Sequence, residues 1–424
     1  MIAQGLREAA PNCARCTRAT VREPDGAWTV PPALHNSAMD VTTPLAMLGG
    51  QSPAQFMRRH WHKKPLLVRQ AFPGVQPPVS RTELFKQASM EEVESRLVVR
   101  ANDAWRLRHG PFSRRSLPPL SRPAWTLLVQ GLDLHVPAAH DLLRRFRFVP
   151  DARLDDVMVS YASDGGGVGP HLDAYDVFLI QVQGRRHWRI GRVRDDRLVE
   201  GVPLKILQHF EPEQQWVLEP GDMLYLPPRW GHDGVAVGGD CMTCSVGFRS
   251  SSVAELGGEL LARAAEVGDL EGGPGRTRLG RRYVDPAQPA TAAPGRVPEA
   301  LQRFAQEAVQ AVLAQPGRLE AVLGEWLTEP KPQVWFQSGG TLELGQGVSL
   351  DARTRMMYDD RHVFLNGESF LASGRDAQVM RQLADRRALG PAQVATLGPQ
   401  ARGLLEDAVQ AGWMHALPQP RAPH

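Results

Sequence analysis

The sequence predicts a mainly β protein with helical additions, and three observations support that prediction. Between about residues 95 and 250, short apolar runs rich in Val, Ile, Phe and Trp are separated by Gly, Pro and Asp, which is typical of an antiparallel sandwich or barrel. Before and after this stretch, apolar residues recur at helical spacing. The length of 424 residues also indicates two or three domains.

The N-terminal part of the chain changes character at about residue 40. Residues 1–40 have no periodic pattern, so we interpret them as a disordered extension or an over-extended start. Ser52 is placed to cap an amphipathic helix, which a short strand follows. The strands of the β module are then predicted from the runs SRLVVR, AWTLLVQGL, RFRFVP, DVMVSYA, DVFLIQVQG, RHWRIGR, EQQWVLEPGDMLYLPP, GVAVG and MTCSVGFR.

Helical spacing returns after the β module. We predict a helix over residues 251–268, a Pro-, Gly- and Ala-rich linker over 271–297, and helices over 297–315 and 319–329. So small a helical region buries little apolar surface alone. We therefore expect it to pack on a neighbour, in this chain or in a second copy.

The C-terminal segment, residues 331–424, combines strands with helices. Asn366-Gly367 predicts a hairpin turn, and two helical patterns follow it, which together indicate a winged-helix-like domain. Winged helices commonly bind DNA, but this segment has ten basic and nine acidic side chains. Because phosphate binding needs a basic excess, we expect a scaffold or protein-docking role and no direct DNA binding.

The overall composition excludes several classes of protein. Its 49 basic and 46 acidic residues are nearly balanced, so the totals do not indicate a nucleic-acid partner. No apolar stretch approaches the roughly 18 residues of a membrane helix, and the N-terminus has no apolar signal region, so we expect a cytoplasmic protein without a membrane partner.

The four cysteines form two CxxC pairs, Cys13/Cys16 and Cys241/Cys244. They are too few for a disulfide scaffold and fit a reducing compartment. A structural zinc site is disfavoured, because Cys241 and Cys244 lie in a predicted strand, where residues three apart point to opposite faces.

A candidate metal site follows the glycine-rich stretch at residues 165–169. On a strand, His171 and Asp173 project to the same side, about 7 Å apart. His232 comes later in the same β module, after the turn and strand of EPGDMLYLPP, and completes a His, Asp, His set. Two imidazoles and one carboxylate leave coordination positions open, as in mononuclear non-haem Fe(II) oxygenases, and this donor set favours iron over zinc.

An Fe(II) oxygenase of this type needs an electron source, commonly a 2-oxo acid whose far carboxylate a cation holds. Alternation places Arg186 on the inward face with Trp188 and Ile190, and Arg185 on the outward face. An inward guanidinium suits bidentate carboxylate binding and implies a ligand. Ser160, on the preceding strand, is a second candidate contact for the acid, although a serine satisfied within its strand is an equally good interpretation.

The motifs GGGVGPHLDAYDVFLIQVQGRRHWRIG, GDMLYLPPRWGH and LTEPKPQVWF resemble those of the bacterial ribosomal oxygenases of the Jumonji C cupin family. Within that family they resemble the arginine hydroxylases that act on ribosomal protein number sixteen of the large subunit. The resemblance runs from about residue 44 to about residue 415. It implies a double-stranded β-helix core over 41–250, a helical dimerisation region over 251–330, and a winged-helix domain over 331–424.

The resemblance also implies a site and a reaction. Fe(II) would be held by His171, Asp173 and His232, and 2-oxoglutarate by Arg186 and Ser160. With O₂, the oxo acid would be decarboxylated to succinate and the β-carbon of a target arginine hydroxylated.

Two questions about function stay open at the level of sequence. A guanidinium substrate calls for carboxylates and aromatic faces, so Asp164, Tyr175 and Asp176 are candidate substrate contacts, with turn capping an equally good interpretation of Asp164. The alternatives to an arginine hydroxylase are a histidyl hydroxylase or demethylase on the same fold, and a non-catalytic cupin that binds during ribosome assembly.

Overall fold

The computed structural model describes residues 40–102, 104–268, 280–286, 288–290 and 293–418. The predicted extension over 1–40 therefore lies outside the described residues except for its last position. Cys13, Cys16 and part of the predicted 271–297 linker also lie outside them.

An antiparallel sheet is the main structural element of the described chain before residue 250. Its nine strands are β1 (Leu66–Val68), β2 (Ser95–Ala101), β3 (Ala104–His109), β4 (Trp125–Val129), β5 (Leu154–Ala162), β6 (Val177–Arg192), β7 (Gln214–Leu218), β8 (Met223–Leu226) and β9 (Trp230–Phe248). They follow the spatial order β1-β8-β6-β9-β5-β4-β2-β3, and β7 pairs with β6. The predicted fold class, mainly β with helical additions, is confirmed.

Strands β6 and β9 are each longer than predicted, because the glycines that we interpreted as breaks are bends. The runs DVFLIQVQG and RHWRIGR form one strand, in which Gly184 has φ +65° and the pairing register shifts. The runs GVAVG and MTCSVGFR likewise form one strand, with positive φ at Gly238 and Gly239. Glycine tolerates this conformation, so the hydrogen-bonded pairing resumes beyond each bend.

Three short helices accompany the sheet: α1 (Pro53–Arg59), α2 (Arg81–Gln87) and α3 (Pro137–Arg144). The predicted cap of α1 is confirmed, because the Ser52 side chain accepts a hydrogen bond from the Gln55 amide and the Gln55 side chain accepts one in return. Phe56 of α1 packs on Phe178 of β6, with ring centroids 5.4 Å apart, inside the large core under the sheet. The predicted strand RFRFVP is wrong, since these residues, 145–150, form the turn that follows α3.

The rest of the chain is helical first and mixed afterwards. Its helices are α4 (Val253–Gly268), α5 (Glu299–Leu313), α6 (Arg318–Thr328), α7 (Gly374–Arg386), α8 (Pro391–Val394) and α9 (Pro399–Gln410), and its strands are β10 (Val348–Leu350), β11 (Met356–Tyr358), β12 (His362–Leu365), β13 (Glu368–Leu371), β14 (Ala388–Leu389) and β15 (Met414–Ala416). The predicted hairpin is confirmed, because β12 and β13 meet at Asn366 and Gly367, which both have positive φ. Residues from 342 onward have their own apolar core.

Residues 331–418, which we call the C-terminal unit, contact the sheet region through charged side chains. Arg147, just after α3, donates hydrogen bonds to the carbonyls of Ala384 and Asp385 at the end of α7. Lys331 lies 3.2 Å from Asp155. Within the described ranges, no helix is both long enough and apolar enough to cross a membrane.

Candidate active site

His232, near the start of β9, pairs with His171 from the segment before β6. The amide of His171 donates to the carbonyl of His232 at 3.0 Å, and the amide of His232 donates to the carbonyl of His171 at 2.9 Å. Residues that exchange both hydrogen bonds are directly opposite, so their side chains project to one face. Their ring centroids are 4.1 Å apart.

Glycines allow the chain before His171 to approach β9 closely. A Cβ on Gly167 would lie 2.7 Å from the carbonyl oxygen of Gly234, and Gly169 has φ +79°. Neither condition is compatible with an ordinary side chain. The segment is not the regular strand that we predicted from His171 to Asp173: His171 forms an isolated bridge, and Asp173 lies in the irregular chain just after it.

The predicted metal-ligating atoms converge. One ligand atom each from His171, Asp173 and His232 lies within 4.8 Å of the other two. His232 Nε2 and Asp173 Oδ2 are 3.6 Å apart. This is the only such cluster of three or more His, Cys, Asp or Glu side chains in the part of the chain that the structure describes.

Backbone carbonyls fix the orientation of both imidazoles. Nδ1 of His171 lies 2.9 Å from the carbonyl oxygen of Gly169, and Nδ1 of His232 lies 3.2 Å from that of Trp230. A carbonyl only accepts hydrogen bonds, so Nδ1 carries the proton and Nε2 keeps its lone pair for a metal. Burial, reinforced by nearby His171, lowers the pKa of His232 to about 4. His232 is therefore neutral near pH 7, as a metal ligand must be.

Arg186 is buried on β6, the strand that pairs with β9, on which His232 lies. The predicted alternation is confirmed: Arg186, Trp188 and Ile190 are buried, whereas Arg185 is exposed. Only 6% of Arg186 is exposed, yet its Nε and Nη2 have no hydrogen-bond partner among the described residues. The guanidinium lies 5.7 Å from the centroid of the Trp188 ring, and that ring lies 5.9 Å from the ring of His232. A buried cation with unused donors is costly unless an anion meets it.

Ser160 lies on β5, buried and opposite Thr243 of β9. Its hydroxyl is 3.4 Å from the carbonyl oxygen of Thr243, so this hydrogen bond is long. The hydroxyl of Thr243 in turn donates to the side chain of Gln181 on β6 at 3.0 Å. Three polar side chains thus form a row across three neighbouring strands.

The three candidate substrate residues differ in their surroundings. Tyr175 is 39% exposed and lies two residues after Asp173 in the irregular segment. Asp164 is exposed, and its carboxylate accepts a hydrogen bond from the amide of Gly238 at 2.7 Å, which is a capping contact. Asp176 is completely buried: Oδ1 accepts from the Tyr225 hydroxyl at 2.5 Å, and Oδ2 lies 3.1 Å from His62 Nε2. The carboxylate of Asp176 therefore contacts side chains inside the protein and does not face open space.

The donor set fits a divalent first-row metal with an anionic co-ligand. Two neutral imidazole nitrogens and one carboxylate oxygen are the set typical of mononuclear Fe(II) oxygenases. The unsatisfied donors of Arg186, in the same interior, suit a carboxylate. Cys241 and Cys244 lie on β9 as predicted and belong to different apolar clusters, so they face opposite sides.

Sequence reasoning missed Gln181 and Thr243, which join Ser160 in the interior polar row. The signal available in the sequence was a single polar residue within each apolar run, FLIQVQ and MTCSV. Alternation alone did not show that these residues share one interior.

Comparisons with known proteins agree with this geometry. The JmjC domain family matches residues 141–256, and the ROXA-like winged helix family matches residues 311–415. The ribosomal protein uL16 3-hydroxylase of Escherichia coli K12 is 37% identical over 284 residues, which cover 66% of this chain and 72% of that protein. A probable ribosomal oxygenase of Haemophilus influenzae is 37% identical over 210 residues, covering 48% of this chain and 51% of that protein.

A solved structure is similar over most of the chain. The ribosomal oxygenase YcfD from Escherichia coli, in complex with cobalt and 2-oxoglutarate, aligns with a TM-score of 0.69 at 30% identity, covering 86% of this chain and 97% of that one. The extent of these matches, together with the converging His, Asp and His side chains, shows that this chain belongs to the family of bacterial JmjC ribosomal oxygenases.

Proposed function

We propose that this protein is an Fe(II)- and 2-oxoglutarate-dependent hydroxylase that acts on the β-carbon of an arginine in the large-subunit ribosomal protein uL16. The observation that carries the proposal is the convergence of His171, Asp173 and His232 in an interior that also contains the buried Arg186, whose Nε and Nη2 have no hydrogen-bond partner among the described residues. The name of the Escherichia coli relative supports uL16 as the substrate.

The chain's own contribution to metal binding is orientation. His171, Asp173 and His232 would hold Fe(II), with both rings fixed by carbonyl acceptors and Nε2 directed at the cluster. Bound Fe(II), together with 2-oxoglutarate and O₂, supplies the oxidation that yields succinate, CO₂ and the hydroxylated substrate. The protein positions the reactants and excludes water from them.

Arg186 and Ser160 would hold the oxo acid. Arg186 pairs with Ala236 and Ile190 pairs with His232. The two positions are four residues apart on β6, or about 13 Å along the strand. The long arginine side chain and an elongated diacid together suit this span. Ser160, whose present hydrogen bond is long, would donate to the same acid.

Tyr175 and Asp164 are the proposed substrate contacts. The exposed ring of Tyr175 would pack against the target guanidinium, and the exposed carboxylate of Asp164 would attract it. We propose that Asp176 acts indirectly, because its buried carboxylate anchors the chain that carries Tyr175.

We further propose the arrangement of the whole protein: an oxygenase domain over 41–250, a helical dimerisation region over 251–330 and a winged-helix domain over 331–424. Exposed apolar side chains of the helical region, including Leu261, Val309 and Leu313, support a homodimer. A cytoplasmic location suits a ribosomal substrate. The balanced charge of the C-terminal domain supports a protein partner rather than DNA.

Mass spectrometry of ribosomal proteins tests the function. Cells with the wild-type gene should contain uL16 with one arginine heavier by about 16 Da, the mass of one oxygen atom that hydroxylation adds. Cells with His171→Ala should lack this addition, and the exposed control His209→Ala should keep it. An added oxygen on a histidine, or a methyl group lost from a lysine, would instead support the alternative activities.

A titration without oxygen separates an enzyme from a binding protein. The purified protein should develop a visible absorption band when Fe(II) and 2-oxoglutarate are added together, and His171→Ala should not. If neither protein develops the band and uL16 is unmodified, the non-catalytic binding cupin becomes the better interpretation.

A further inference from the structure

A cavity of about 90 Å³ lies between α3 and the C-terminal unit, and none of the proposed metal ligands lines it. Both sides supply basic groups to its wall: His140, Arg144 and Arg147 come from α3 and the turn after it, and Arg353, Arg355 and Arg387 come from the C-terminal unit. No residue that we assign to the hydroxylase site lines it.

Positive charge exceeds negative charge around this cavity. Its lining contains five arginines and Lys331 but three carboxylates, those of Asp133, Asp151 and Asp155. Two of these carboxylates are already paired, because Asp151 lies 2.6 Å from Arg147 and Asp155 lies 3.2 Å from Lys331. Arg353 is paired outside the lining, with Asp351 at 2.7 Å.

Arg355 and Arg387 are left without such a partner. In the ranges that the structure describes, neither guanidinium has a carboxylate oxygen within 4 Å. Nη2 of Arg387 donates only to backbone carbonyls, those of Asp351 and Thr354. Burial lowers the pKa of both arginines to about 10. Both guanidinium groups are half-buried and lack a direct carboxylate contact, and an anion between them would offset the cost of their lost hydration.

His140 adds an independent indication of a ligand. Its Nδ1 is buried and has no hydrogen-bond partner among the described residues. Burial and the neighbouring Arg387, Arg144 and Arg147 lower the pKa of His140 to about 3, so the ring is neutral. A neutral imidazole with Nδ1 protonated offers one more donor to an acceptor in the cavity.

We propose that this cavity binds a small oxyanion of the size of phosphate, held by Arg355, Arg387 and His140. A volume of about 90 Å³ has room for several waters or one such ion, but not for a folded chain segment. The ligand would join groups from α3 to groups from the C-terminal unit. It would therefore stabilise the docking of that unit, independently of hydroxylation.

Thermal unfolding of the full-length protein in increasing inorganic phosphate, at constant ionic strength, tests the proposal. Phosphate should raise the Tm of the wild type until the site saturates, and chloride should not. Arg355→Gln should abolish the rise, whereas Arg402→Gln, which removes an arginine paired with Glu406 away from the cavity, should keep it. An equal rise in chloride, or an undiminished rise in Arg355→Gln, would overturn the proposal.

A second measurement does not depend on the stability of a variant. The ³¹P signal of phosphate should broaden when wild-type protein is added, and it should broaden less with His140→Gln. Excess acetate should compete weakly. Competition by acetate as strong as that by sulfate, an oxyanion of the size of phosphate, would show that the site does not select a phosphate-sized ion, and an unbroadened signal with the wild type would refute binding.

Discussion

Replacing Arg186 by methionine should weaken the binding of 2-oxoglutarate. The same substitution should stabilise the protein when no 2-oxoglutarate is bound. The buried guanidinium offers Nε and Nη2 to a carboxylate. Removing one partner of a buried, hydrogen-bonded charge pair costs roughly 2–5 kcal/mol. At 1.4 kcal/mol for each factor of ten, the KM for 2-oxoglutarate should rise by roughly 30- to 4,000-fold.

The stability of the ligand-free protein should change in the opposite direction. Each buried donor left unsatisfied costs about 1–3 kcal/mol, and an apolar side chain of similar size removes that cost. The variant also loses the contact between Arg186 and the Trp188 ring, at 5.7 Å, which contributes about 0.5–2 kcal/mol. We therefore expect Arg186→Met to raise the free energy of unfolding by about 1–4 kcal/mol.

Two measurements check this prediction: the KM for 2-oxoglutarate in a succinate-release assay, and urea unfolding without metal or oxo acid. Arg185→Met is the matched control, because Arg185 is exposed on the other face of β6 and both quantities should stay near the wild-type values. An Arg186→Met protein with an unchanged KM, or one less stable than the wild type, would refute the reasoning.

Three further predictions concern packing, pH and the substrate side of the site. Gly234→Ala should lower the free energy of unfolding by about 1–3 kcal/mol and weaken metal binding, because the added Cβ would lie 2.6 Å from the Trp188 ring. The control Gly257→Ala has open space around the added Cβ and should not lower the free energy of unfolding. Equal losses for the two variants in urea unfolding would contradict this prediction. Burial, reinforced by Asp156, raises the pKa of Asp133 to about 7 from 3.8, so its contribution to stability is present below about pH 4 and lost as pH rises through 7. Asp133→Asn should therefore be more stable than the wild type at pH 8 but not at pH 4, and urea unfolding that shows the same difference at both pH values would exclude this linkage. Asp176→Asn should lower the free energy of unfolding by about 2–4 kcal/mol and change the KM for a uL16 peptide little. Tyr175→Ala should raise that KM and leave the free energy of unfolding unchanged. The reverse pattern would make Asp176 the substrate contact.

The sequence was sufficient to predict features that depend only on residues close together in the chain. The period of two placed Arg186 inside and Arg185 outside, and the structure agrees. The cap at Ser52 and the hairpin at Asn366-Gly367 also depend on a few neighbouring residues. In each case the deciding interaction spans fewer than five residues, so the sequence contains it.

Local rules failed where tertiary packing decides the backbone. The run RFRFVP alternates like a strand, yet Phe146 and Phe148 are buried from a turn after α3. Gly184 and Gly238 are turn signals in isolation, but strong pairing on both sides keeps β6 and β9 continuous. The cavity lined by Arg355 and Arg387 could not be predicted for the same reason, because its wall joins residues 133–155 to residues 331–387.

The pairing of β6 with β9 also connects the fold to the site. After the shift at the Gly184 bend, residues 185–192 pair with residues 230–237 in one uninterrupted register, which places Ile190 opposite His232 and Arg186 opposite Ala236. The distance between the metal ligand and the carboxylate-binding arginine is therefore set by backbone pairing and does not depend on a loop. Asp173 is the exception, since it lies in irregular chain and no strand pairing holds it. Adjustment of the site on metal binding should accordingly concentrate at Asp173 and at Tyr175, two residues later, where the substrate would enter, while both histidines stay in place.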